Sequence, residues 1–326
     1  MALNWMPHTA EAPLEMLVRV AGIPVRVCTN STEIRDNLRR RYRPSIPSYC
    51  EVPLTVVLRD GEPIALNGDG YGTRMLRGEY QEVDVPGEGH FYSDKEKEVV
   101  AFVVADHCLV TGEFNRRPEA VADFIDLMVT RKLLTEGHRL TWGHGVARNG
   151  HGIVLAGLPS RGSDIMASML VDAGYLLIGG NPLLLGSGPL GPQMIGASGD
   201  VYLSPTALLH SKRLMSLISE EDCARYALST EIPWNSTARV PMRSTDQLCV
   251  QSHPITLILM LRWSSYAEEK MGLRDATDDE LRLMLSPFRD DEATDQIACL
   301  VVEGKFDPAQ LCGALDGDPR IEPFLA

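Results

Sequence analysis

The stretch that most limits how this chain can fold is a short apolar run opening into a glycine loop. Ile153-Val154-Leu155-Ala156 has the length and side chains of a buried strand. Gly157-Leu-Pro-Ser160-Arg161-Gly162-Ser163-Asp164 follows it. Asp164 to Asp172 then reads as a helix, with Gly174 placed to end it in a left-handed cap. Tyr175 to Ile178 is the next expected strand. Strand, glycine loop, helix, strand is the setting in which a phosphate-binding loop operates. In such a loop, glycines let backbone N–H groups close around phosphate oxygens, and the helix N-terminus adds partial positive charge. A lysine reaches the terminal phosphates, and a hydroxyl holds Mg²⁺. Gly157 and Gly162 keep the frame, but Ser163 stands at the lysine position and Asp164 at the hydroxyl position.

The energetic consequence is large. The missing lysine removes a charge-assisted hydrogen bond worth roughly 1.5–3 kcal/mol. A carboxylate about 4 Å from a phosphate, at an effective dielectric near 20, costs roughly 4 kcal/mol. Together these remove about three or more decades of nucleotide affinity. Mg²⁺ on Asp164, or Arg161 approaching a phosphate from within the loop, would offset part of this loss. The alternative reading of Asp164 is a first-turn helix residue facing the dipole. No cofactor is assigned from the residues, and Mg-ATP fits only as a weak ligand.

The rest of the chain supplies the frame around this loop. Leu14 to Cys28 reads as two strands about a tight turn at Ala21-Gly22-Ile23, with Val18, Val20, Val25 and Val27 in period two. Asn30-Ser31-Thr32-Glu33 supplies capping chemistry for a helix to about Tyr42. The basic run Arg35 to Arg43 is read as one solvated face of that helix. Leu54 to Leu58 is a strand, and residues 60–95 read as loops or hairpins. Val99–Val104 and His107–Thr111 form a hairpin, and Pro118 to about Leu134 is a helix by its apolar spacing. Trp142 to Ala156 reads as two strands joined at Arg148-Asn149-Gly150. Beyond the glycine loop, residues 186–199 read as a long Gly- and Pro-rich loop. Helices are expected at 206–219, 220–228, 278–285 and 308–315, and strands at 256–263 and 297–302. The expected fold class is mixed α/β. A strand-rich α+β domain over 1–115 precedes a phosphate-loop domain over 116–326 that ends in a helical extension.

Bulk properties exclude several functions. A net charge of −13 over 326 residues disfavours nucleic-acid binding through a global basic surface. No stretch approaches the roughly 18–20 apolar residues of a membrane span. Met1 to His8 has no basic region followed by an apolar one, so no secretory signal is expected. Seven scattered cysteines, an odd number without a CxxC pair, speak against disulfides and structural zinc and for a reduced, cytoplasmic setting. His138, His144 and His151 are close in sequence, and the last two are candidates to face each other across a hairpin. No carboxylate or cysteine sits at ligand spacing from them, so structural histidines are expected. A serine-hydrolase elbow is excluded by spacing, since Gly157-Leu-Pro-Ser160-Arg161-Gly162 is not G-x-S-x-G.

Gly145-Val-Ala-Arg148, Gly152-Ile-Val-Leu-Ala-Gly157, Leu170-Val-Asp-Ala-Gly174, Leu183-Leu-Leu185, Tyr202-Leu-Ser-Pro-Thr206-Ala-Leu and Leu261-Arg-Trp263 are spaced as in one known group. Over about residues 115–265 the chain resembles HPr kinase/phosphorylase relatives, in particular the HprK-related kinases. That resemblance implies a P-loop core of the HPr kinase/PEP carboxykinase type. It also implies an acidic residue after the strand that follows the helix, serving Mg²⁺ and acting as catalytic base. Here that position is Gly179-Gly180-Asn181-Pro182, and the following 194–199 loop lacks the basic residues of active relatives. The lysine, the hydroxyl, the acid and the basic loop are thus all replaced. Phosphoryl transfer rests on positioning and charge stabilisation, so four such losses imply a catalytically inactive relative, a pseudokinase. Such a chain would act through a protein partner or by self-association, as an oligomer. Two other readings stay open: an active kinase with a site rearranged around Arg161, Asp164 and a partner-supplied cation, and an assembly protein reusing the fold.

Overall fold

The computed structural model describes residues 11–42, 54–64, 73–74, 80–85, 89–94, 98–157, 162–180, 182–188, 190–196, 200–218, 220, 223–224, 238–241, 252–264, 271–288, 294 and 296–305. The expected helices at 220–228 and 308–315 lie almost wholly outside these residues. The fold is mixed α/β, and the chain divides into two compact units, Met1–Lys132 and Leu133–Ala326.

The first unit is built on an eight-stranded sheet. Strands β1 (Leu14–Val20) and β2 (Ile23–Thr29) form an antiparallel hairpin closed by Ala21 and Gly22, both at positive φ (50° and 83°). Helix α1 (Thr32–Arg41) then leads to β3 (Leu54–Asp60), which pairs parallel to β2. The Ser31 hydroxyl accepts from the Ile34 N–H, satisfying one of the first-turn amides. Ile34 and Leu38 are buried, and Arg39 and Arg40 are exposed at the end where positive charge suits the dipole. Strands β4 (Thr73–Arg74), β5 (Tyr80–Val85), β6 (Gly89–Asp94), β7 (Val99–Val104) and β8 (His107–Gly112) complete the order β1-β2-β3-β8-β7-β6-β5-β4.

Helix α2 (Pro118–Thr135) explains where the division of the chain falls. The sequence analysis places a domain boundary at 115/116, where the strands of the first half end. Most of the helix, through Lys132, lies in the first unit with those strands. The Tyr80 hydroxyl donates to Asp123 at 3.2 Å, and Arg131 donates to the Tyr92 hydroxyl at 2.9 Å. Phe124 packs edge-on against Tyr80 at 5.0 Å. The Tyr42 hydroxyl at the end of α1 donates to Asp126. Both buried carboxylates thus have the partners that burial demands.

The second unit is layered. Its six-stranded sheet has the order β12-β10-β11-β18-β20-β19. The members are β10 (Gly143–Arg148), β11 (His151–Ala156), β12 (Leu176–Gly180), β18 (Leu257–Ser264), β19 (Gly272–Asp275) and β20 (Ala298–Lys305). Strand β11 pairs antiparallel with β10 through the Asn149-Gly150 turn and parallel with β18. Side chains alternate between two cores. Val146, Ile153, Leu155, Leu257 and Leu259 pack toward helix α3 (Ser163–Asp172), where Met166, Leu170 and Val171 meet them. Ala147, Val154, Ile178 and Ile258 face the other way, onto Leu183, Leu185 and Met194. Each fully buried aliphatic side chain contributes about 1.5–3 kcal/mol relative to exposure.

Among the described residues, two strands replace most of the long loop expected over 186–199. Strands β13 (Leu183–Gly188) and β14 (Gly191–Gly196) form a hairpin inside a four-stranded sheet, β17-β14-β13-β9, with β9 (Arg139–Thr141) and β17 (Ser252–Pro254) at its edges. Gly191 turns the hairpin at φ 97°, while other glycines around it serve close packing. A Cβ on Gly179 would lie 2.6 Å from the Gly196 Cα, and one on Gly145 would lie 2.7 Å from the Met194 sulfur. The expected helix over 206–219 is instead two short ones, α4 (Pro205–Leu209) and α5 (Lys212–Met215), because Ser211 breaks the run and caps the second. Strands β15 (Asp200–Leu203) and β16 (Ala238–Pro241) form a two-stranded ribbon. At the edge of the larger sheet, the Glu280 carboxylate of helix α6 (Asp278–Met284) takes both terminal nitrogens of Arg274, at 2.7 and 2.9 Å, and Arg262 at 2.6 Å.

Candidate functional site

Strand β11 delivers the chain to the glycine loop, and the Gly157 N–H donates to the Trp142 carbonyl at 3.0 Å, one step past the β10–β11 ladder. Ser160 and Arg161 lie outside the described residues. Gly162 is the N-cap of α3 at φ 76°, a left-handed conformation that glycine adopts at little cost, and no side chain caps the helix there. The next residue enters the helix. Ser163 is only 2% exposed, so its side chain points into the protein.

What it points at is His144. The Ser163 Oγ and His144 Nδ1 lie 3.2 Å apart in hydrogen-bond contact, and His144 is fully buried. The imidazole comes from β10, where His144 pairs with Leu155 of β11 on one side and Gly180 of β12 on the other. Gly180 is a glycine for a visible reason. A Cβ built on it would lie 2.6 Å from the His144 Nε2 and closer still to the ring carbon Cδ2. Ser163 and Gly180 therefore converge on one ring. Asn181 lies outside the described residues.

Asp164 is tied into local structure. Its Oδ1 accepts from the Ile165 N–H at 2.9 Å and its Oδ2 from the Ser204 N–H at 3.1 Å. Ser204 caps α4 through the Ala207 N–H, so the Asp164 carboxylate links the first turn of one helix to the start of another. Both oxygens accept backbone amides, the arrangement a carboxylate at a helix start favours.

The part played by His144 is not visible in the residue itself. It was one of three neighbouring histidines, and the structure separates them. His151 pairs with Arg148, so it does not face His144 across the hairpin. His138 lies over Gly186, with Nδ1 3.2 Å from the Leu133 carbonyl. Among the described residues no group of histidine, cysteine, aspartate or glutamate could hold a metal ion. The usable signal was the Gly179-Gly180 pair, since two glycines ending a buried strand imply something pressed against it.

No known family model matches the chain. No curated protein matches it either. Among solved structures, the Hpr(Ser) kinase/phosphatase from Coxiella burnetii aligns with 53% of this chain and 90% of its own, at 11% identity and a TM-score of 0.30. A score at that level supports no statement about the chemistry of this chain. No helix among the described residues is long and apolar enough to cross a membrane.

Proposed function

We propose that this chain is a non-catalytic relative of HPr-type kinases that acts as a binding, scaffolding or regulatory subunit. The observation that carries the reading is the contact of Ser163, His144 and Gly180. Phosphoryl transfer needs cations and a base gathered at the reacting phosphate. At the corresponding positions this chain has a buried hydroxyl, a buried imidazole and a glycine. Recruiting Asp164 to Mg²⁺ would cost it two backbone hydrogen bonds. The sequence resemblance suggests the kinase frame, and the buried Ser163–His144 contact supports reading it as inactive. Function then passes to surfaces that meet a protein partner or a second copy.

Calorimetric titration of the folded protein with Mg-ATP tests the reading. No heat at millimolar nucleotide is the expected result. Saturable binding, together with ATP-dependent transfer of phosphate to a serine-containing acceptor protein, would overturn it in favour of an active kinase with a rearranged site.

A further inference from the structure

Strand β1 ends the eight-stranded sheet, and among the described residues it pairs only with β2. It is seven residues long, whereas the other edges of the three larger sheets are strands of two to five residues. Exposed edges are usually guarded by proline, by a bulge or by brevity, because their unpaired N–H and C=O groups recruit other strands. Leu14-Glu15-Met16-Leu17-Val18-Arg19-Val20 contains no proline, and its register against β2 is unbroken from Leu14↔Thr29 to Val20↔Ile23.

We infer that β1 is a self-association edge whose partner is β1 of a second copy of this chain, joined antiparallel about a two-fold axis at Leu17. Backbone direction supports this register. The two-residue turn closes on a hydrogen-bonded pair, Val20↔Ile23, and the alternation then directs Val18, Met16 and Leu14 toward β2. The backbone groups of Glu15, Leu17 and Arg19 therefore point to the open edge. Centred on Leu17, the pairing sets Leu17 against its own copy and Glu15 against the second copy's Arg19, twice by symmetry. All of these are residues with outward backbone groups, so the ladder closes without a slip. On the buried face, Met16 and Val18 come opposite each other.

The charges decide the partner. Glu15 is exposed and Arg19 half-buried, and they stand two residues either side of Leu17. Shifting the register along the edge, or joining the strands parallel in register, sets like charges together or takes Glu15 and Arg19 out of reach of each other. Within one chain Glu15 also meets Arg26 at 3.2 Å, so in the pair it would lie between two guanidinium groups. The inference holds whether or not the glycine loop binds nucleotide.

Sedimentation of the full chain over a range of concentrations tests it, with three variants. Glu15→Arg alone and Arg19→Glu alone each create two like-charge pairs and should weaken the dimer at least about tenfold. Mixing the two variants in equal amounts restores opposite charges at both pairs, and a heterodimer within about threefold of the original affinity should form. Leu17→Pro removes an outward N–H and should leave a folded monomer by circular dichroism. A chain that stays monomeric at every concentration overturns the inference. So does a dimer that the single reversals leave unchanged, or one that the mixture does not recover.

Discussion

A methyl group on Gly180 would have to share space with the imidazole of His144, and the pair can be tested as a pair. Gly180→Ala should destabilise the protein by about 1–3 kcal/mol, the usual cost of forcing extra volume into a packed site. In a His144→Ala background the same substitution has room, so its cost should nearly vanish. The coupling between the two should exceed about 1 kcal/mol in a double-mutant cycle read from urea denaturation. Additive effects would mean that the ring is not what holds position 180 to glycine. At this scale the sequence was half legible. Ser163 and Gly180 could be singled out from the glycine loop and the strand that follows its helix. The ring that both meet could not, because His144 lies 19 residues before one and 36 before the other, and only the fold brings them together.

Asp172, the last residue of α3, shows how the elements are joined. Its carboxylate accepts the Ser211 hydroxyl at 2.6 Å and the backbone N–H groups of Lys212 and Arg213 at 3.1 and 3.2 Å, at the start of α5. Partial burial pushes its pKa up, but the hydrogen bonds from Ser211, Arg213 and Lys212 outweigh that and hold it below the ordinary value. A depressed carboxylate stabilises the fold fully above its unfolded pKa, about 3.9, and that stabilisation fades as pH falls through the lower folded value. Asp172→Asn should therefore lower the midpoint of thermal unfolding at neutral pH, and the gap from the parent should narrow below about pH 4. A gap independent of pH would show that the charge is not involved. The elements themselves were largely legible, since period-two valines, Ser31 and Gly174 act locally. The expected loop over 186–199 is largely a hairpin: glycine and proline mark turns in most settings, whereas here Gly196 sits at a close crossing of strands.

At the scale of the whole molecule, that crossing makes a prediction the sequence alone could not support. Strand β12 of the larger sheet and β14 of the smaller one meet through glycines, with Gly179 facing Gly196 and no side chain between them. A Cβ on Gly196 would fall inside contact distance of the Ile178 carbonyl oxygen, which is backbone and held by its own strand, while Gly180 faces only a side chain. A ring can shift by a rotamer change, whereas a strand moves only by separating two layers whose facing cores include Ile178, Leu183, Leu185 and Met194. Gly196→Ala should accordingly cost about 3 kcal/mol, the upper end for overpacking, and more than Gly180→Ala. Removing His144 should rescue the substitution at 180 and do nothing for the one at 196. Denaturation midpoints of Gly180→Ala and Gly196→Ala, each alone and in the His144→Ala background, and of His144→Ala itself give the ordering. If Gly196→Ala proves as mild as Gly180→Ala, the two sheets do not stack through these glycines, and the Gly- and Pro-rich stretch regains its reading as a loop.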